Sequence, residues 1–186
     1  YAVPPGATHL GRVLPQLTPA AGAVGPAKVL VMGSGVAGLE ALATAHRLGA
    51  VTEGYDVRPE TQEQALSLGA TFVETGVDAR GKGGYARELS ADRGALQREL
   101  LAPHVAMADV LITTAAVPGR RAPLLVSHQM VQGMRPGSVV VDLAAESGGN
   151  VEGAVPGEDI LVPTADGQGH VTLVGLKDAP SAMAQD

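Results

Sequence analysis

The chain has no cysteine and no tryptophan, and only three tyrosines and one phenylalanine among 186 residues. Without cysteine there is no disulfide, no thiolate nucleophile and no cysteine-based zinc site. The five histidines are scattered without metal-ligand spacing. An excess of basic charge is missing too. Thirteen Lys and Arg against 19 Asp and Glu give a formal net charge of −6, which offers no electrostatic footprint for nucleic acid. Long apolar runs are also lacking: the longest, after Gly35, is broken by Glu40 and falls well short of the roughly 20 residues a bilayer requires. The chain is therefore expected not to cross a membrane, and no signal peptide is visible. It opens at Tyr1 rather than Met, so it reads as a piece of something longer.

Glycine is what the chain has in quantity, 25 residues, and six positions give it meaning. The apolar run Lys28-Val29-Leu30-Val31-Met32 is followed directly by Gly33-Ser34-Gly35-Val36-Ala37-Gly38. Asp56 closes the next apolar stretch, 18 residues past Gly38. This is the dinucleotide-binding fingerprint in its required setting of strand, turn, helix and distant acid. Gly33 permits the tight turn, Gly35 lets the main chain approach a pyrophosphate, and Gly38 lets helix and strand pack closely. The free N–H groups that open the helix face phosphate charge. Asp56 is placed for the adenosine ribose hydroxyls and would repel a 2′-phosphate, so the expected cofactor is NAD rather than NADP. Arg58 complicates this, because an arginine near that acid can accommodate a 2′-phosphate, stack on adenine or simply be solvated.

The remainder alternates between helix and strand. Periodicity predicts helices over 36–48, 61–68, 88–101 and 127–134, and strands over 70–73, 109–114 and 138–143. Val139-Val140-Val141 lacks polar alternation, as a strand covered on both faces should. Residues 160–162 and 170–174 flank Asp166-Gly167 and read as a hairpin added at the sheet edge. The expected class is α/β: a doubly wound, mostly parallel, Rossmann-like sheet with a C-terminal hairpin. Residues 1–26 form a helical lead-in, with a short helix over 10–17 and Pro4-Pro5-Gly6 resisting helix, and 27–186 the dinucleotide-binding domain. The segment 75–87 carries four glycines and Tyr85. It is expected to be a lid that orders over the nucleotide, the alternative being a surface loop with no task. Asp142, ending a strand ahead of Gly148 and Gly149, is expected to accept main-chain hydrogen bonds rather than act in chemistry. No residue invites a nucleophile or general-base role.

Tyr1 to Val3, His9-Leu10-Gly11-Arg12, Thr18 to Gly22, Pro26 to Val29, Gly83-Gly84-Tyr85-Ala86, Ile112 to Ala115, Pro118-Gly119-Arg120 and the stretch PGSVVVDLAAESGGN ending at Asn150 form a further set. By these residues the chain resembles the alpha subunit of proton-translocating NAD(P) transhydrogenase. The resemblance implies a component that binds NADH and passes hydride to NADP held by a partner domain. It also implies a membrane-spanning partner subunit that moves protons, a homodimer in the full-length protein, and a peripheral place on the cytoplasmic side of the inner membrane. It places Val36 under the pyrophosphate and Asp56, Val57 and Arg58 around the adenosine ribose. Gly84 and Tyr85 fall on the closing loop and Ala116 near the nicotinamide. Gln97 lies on the helix behind, where a solvated helix position is an equal reading.

Three departures stand out. The family's polar loop of Arg, Gln and Asp would precede Tyr1, Pro4-Pro5-Gly6 stands where the family is helical, and the chain stops soon after Ser181. The piece is thus expected to bind nucleotide while lacking part of the hydride-transfer site. Alanine dehydrogenases share the domain and a Val117-Pro118-Gly119 pattern, so an NAD-dependent amino-acid oxidoreductase is one alternative. A noncatalytic NAD-binding module is the other.

Overall fold

The computed structural model describes residues 2–19, 22–76, 91–117 and 119–177. Among them are strands β1 (Lys28–Met32), β2 (Val51–Tyr55), β3 (Thr71–Phe72), β4 (Val110–Thr113), β5 (Val139–Asp142), β6 (Asp159–Pro163) and β7 (His170–Gly175). They form one sheet in the order β3-β2-β1-β4-β5-β7-β6. All neighbours pair in parallel except β6 with β7, which run antiparallel. The helices are α1 (Val3–His9), α2 (Val36–Arg47), α3 (Thr61–Ser67), α4 (Ala91–Met107) and α5 (His128–Gln132).

Successive strand side chains point to opposite faces, and here both faces are apolar. Val29 and Val31 of β1, Val110 and Ile112 of β4 and Val139 and Val141 of β5 pack with Ala41, Leu42 and Ala45 of α2 and Ala65 of α3. Leu30 and Met32, Leu111 and Val140 pack on the other side with Leu101 and Val105 of α4 and Met130 and Val131 of α5. This two-faced burial explains the unbroken valine run of β5, and the chain has the expected doubly wound α/β fold with its edge hairpin.

The amino end differs from the sequence reading. Pro4 and Pro5 lie inside α1, whereas 10–17 is irregular and ends in an isolated antiparallel bridge between Leu17 and Val24. Proline is tolerated in the first helical turn because the N–H it lacks has no intrahelical partner there. Gly6 then permits close docking on the sheet, since a Cβ at that position would stand 2.8 Å from Val110 Cγ1. Helix α4 also outruns its expected end, passing through Pro103. Leu101 and Val105 on either side of that proline are both fully buried, and their burial offsets the lost helical hydrogen bond.

One cross-link makes a pH dependence. The His9 ring meets the Pro5 carbonyl through Nδ1 at 2.9 Å and Asp159 Oδ2 through Nε2 at 3.0 Å. Both partners are acceptors, so both ring nitrogens donate only in the charged form. The Pro5 carbonyl first, then Asp159, hold the ring above its ordinary pKa of 6.5. A raised folded value means that the stabilisation is complete below 6.5 and is lost as pH rises through the folded value. The pair is largely exposed, so it is worth less than about 1 kcal/mol. An NMR titration should show Asp159→Asn lowering the His9 pKa, and an unmoved value would remove the link.

Candidate functional site

Between β1 and β4 the order of the sheet reverses, the chain winding outward to β2 and β3 on one side and to β5 on the other. In open α/β sheets the crevice beyond the strands' carboxyl ends at such a point is where ligands bind. The three glycines after β1 behave differently there. Gly33 has φ +100°, a conformation that favours glycine, and a Cβ on it would lie 2.8 Å from Thr114 Oγ1 and 2.9 Å from Ala115 N. A Cβ on Gly38 would overlap the Gly33 carbonyl oxygen. A Cβ on Gly35 would meet nothing within 4 Å.

Gly35 is the N-cap of α2, with no side-chain cap and no acidic residue in the first turn. Val36 beside it is 91% exposed. A twelve-residue helix thus begins with uncapped N–H groups at an open main-chain surface, an arrangement that suits a phosphate. On the other wall Thr114 Oγ1 donates to the Gly33 carbonyl at 2.8 Å, joining the two loops.

Asp56 follows β2, and its carboxylate accepts from Ser34 N–H at 2.8 Å, so the acid is fastened to the glycine turn. Arg58 donates to the same carboxylate through its main-chain N–H, Nε and Nη2 at 2.8–2.9 Å. Those hydrogen bonds to Asp56 hold the guanidinium pKa above its ordinary value. Val57 is half-buried against the core face that carries α4. The structure therefore brings Gly33, Gly35, Val36, Gly38, Asp56, Val57 and Arg58 to one end of the sheet.

Gln97 is elsewhere, and it is not solvated. It is 2% exposed and donates through Nε2 to the Tyr55 hydroxyl at 2.8 Å. Tyr55 is itself buried, 3.4 Å from Thr75 Oγ1, and burial pushes its pKa up, so the hydroxyl keeps its proton. Gln97 accordingly ties α4 to the end of β2 and stands behind Asp56 through Tyr55. Ala116 is exposed and lines an open cleft of about 640 Å³ with Val117, Gly119, Arg120, Arg121, Glu146 and Ser147. Gly84 and Tyr85, with most of the 75–87 segment, lie outside the described residues.

Two buried groups beneath the crevice complete it. Asp142 is fully buried and accepts from Thr113 Oγ1 and from the N–H groups of Ala144, Asn150 and Val151 at 2.8–3.1 Å. Burial raises its pKa, and these donors work against that rise. It is a strand-end acceptor, as the sequence suggested. Asn150 is a member that sequence reasoning missed. Its Oδ1 accepts from Ala115 N–H at 3.0 Å, and its Nδ2 donates to the carbonyls of Ala115 and Pro123 at 2.9 and 2.8 Å. The signal available was a polar residue closing the Gly148-Gly149 turn. Among the described residues no cluster of His, Asp or Glu could hold a metal, and no helix is long and apolar enough to cross a membrane.

The family described as alanine dehydrogenase/PNT, C-terminal domain, matches residues 2–186. The chain belongs to this family. It is 47% identical over 191 residues to NAD(P) transhydrogenase subunit alpha of Cereibacter sphaeroides, an overlap covering 98% of this chain and 35% of that protein. The transhydrogenase structure from Sinorhizobium meliloti superposes with a TM-score of 0.76 at 46% identity, over 94% of this chain and 44% of that one. An L-alanine dehydrogenase structure gives 0.67 at 30% identity, over 97% and 45%. The chain thus spans less than half the length of these relatives. Its likeness is to the NAD-binding domain of a transhydrogenase alpha subunit, within a family of nicotinamide-nucleotide oxidoreductases.

Proposed function

We propose that this chain supplies the NAD(H) site of a proton-translocating NAD(P) transhydrogenase. The observation that carries the reading is the open space at Gly35, set between two glycines that leave no room and beside the uncapped start of α2. Gly33, Gly35, Val36 and Gly38 would receive the pyrophosphate, and Asp56, Val57 and Arg58 the adenosine ribose. Ala116 lies toward the nicotinamide, which supplies or accepts hydride when bound. The chain's own part is positioning: Thr114 and Asn150 fix the loop that carries Ala116, and Gln97 supports the acid's strand through Tyr55. In the whole assembly hydride passes to NADP held by a partner domain, and a membrane-spanning subunit moves protons. The chain works there as a homodimer, peripheral on the cytoplasmic side of the inner membrane. The higher identity to transhydrogenases than to L-alanine dehydrogenase favours this over amino-acid oxidation.

Titration by cofactor fluorescence tests the reading, since the chain has no tryptophan to interfere. NADH should bind appreciably more tightly than NADPH, and Asp56→Ala should weaken NADH. That change removes the ribose acceptor and the tether on Ser34 N–H together. Equal affinities for the two nucleotides, or full NADH affinity in the variant, would sink the assignment.

A further inference from the structure

The carboxylate of Asp56 is already full. Oδ2 accepts from Ser34 N–H and Arg58 Nη2, and Oδ1 from Arg58 N–H and Arg58 Nε. A carboxylate offers about four lone-pair sites. A ribose diol can therefore reach Asp56 only by displacing donors that stand there. Two of the four are main-chain N–H groups of the turns that build the crevice, and moving them would dismantle it. The other two belong to the Arg58 guanidinium, a flexible side chain that is 19% exposed against 6% for Asp56. That guanidinium also offsets the charge by which Asp56 would repel a 2′-phosphate.

We infer that Arg58 sets how strongly this site discriminates between NAD(H) and NADP(H). It stands where the ribose hydroxyls must come, yields to them, and softens the repulsion a 2′-phosphate meets. The inference rests on the nucleotide-binding reading above. Removing the guanidinium leaves Asp56 with two main-chain donors, two open acceptor sites and an uncompensated charge. The hydroxyl-bearing nucleotide then meets less competition, and the phosphorylated one more repulsion.

The experiment is titration of the parent chain, Arg58→Ala and Arg58→Lys with NADH and NADPH, directly and by displacement of NADH, with thermal unfolding as the control for folding. In Arg58→Ala, NADPH affinity should fall about tenfold or more relative to NADH affinity, as one like-charge contact predicts. Arg58→Lys keeps the charge without the planar fork, so its NADPH affinity should stay within about threefold of the parent. Equal losses for both nucleotides in Arg58→Ala would make Arg58 a general contact and overturn the inference. So would unchanged affinities for both, or a parent chain that binds NADH but no NADPH at all, since Arg58 would then soften nothing. A parent chain that binds neither nucleotide removes the functional reading itself, and this inference with it.

Discussion

Gly35→Val removes NADH binding and leaves the chain folded. The position has φ −78° and ψ −169°, which any residue adopts, and nothing stands within 4 Å of a Cβ built there. No backbone strain is introduced, and the added Cβ meets no neighbour. The isopropyl group fills only the space at the start of α2 that a pyrophosphate would enter. Binding should fall by at least about 100-fold, on the order of 3 kcal/mol, with thermal unfolding close to that of the parent. Retained affinity with normal unfolding would show that the glycine serves the turn alone.

Gly38→Ala should instead destabilise the fold itself, although it adds a single methyl group three residues on. That methyl falls on the Gly33 carbonyl oxygen, a main-chain atom whose neighbours are the tightly turned Gly33 and the Thr114 hydroxyl that hydrogen-bonds it. A flexible side chain could swing aside, but here α2 must lift from the end of β1. The cost should reach about 3 kcal/mol or more, the upper range for overpacking a close-packed site. At roughly 2–4 °C per kcal/mol for a chain of this size, the melting temperature should drop by on the order of 10 °C. Calorimetry checks it, and a parent-like melting temperature would mean that the helix sits more loosely on the strand than these distances imply.

Periodicity alone made most of this fold legible. The valine run of β5 and the apolar run of β1 announced a sheet covered on both sides, and the Asp166-Gly167 turn announced the hairpin. What failed was local. Pro4-Pro5-Gly6 read as a helix breaker because composition does not say that prolines fall in a first turn, where their missing N–H costs little. The residues 10–17 have helical spacing, yet Leu17 pairs with Val24 in a bridge, which a local pattern does not register. The fingerprint brought its own members together, since each is set by spacing along one strand-turn-helix unit. Gln97, Tyr55 and Asn150 belong to no such unit. Gln97 and Tyr55 are 42 positions apart and Asn150 and Ala115 are 35 apart, so their pairing is a property of the sheet order. The four-donor filling of Asp56 was equally out of reach, because it depends on where the Arg58 side chain turns back.

The Asn150 side chain has a consequence for how the crevice holds its shape. Its own N–H is gripped by Asp142 at the tip of β5, while its carboxamide grips Ala115 on the loop that leaves β4. Asp142 is thereby connected to the loop that leaves β4 by a two-joint mechanical linkage. A disturbance at position 142 should be felt at Ala115 as a displacement of the Asn150 carboxamide. The wall that carries Ala116 is thus held from two sides, by the Thr114 hydroxyl on the Gly33 carbonyl and by the Asn150 carboxamide on Ala115, and part of the crevice's stiffness is set from underneath.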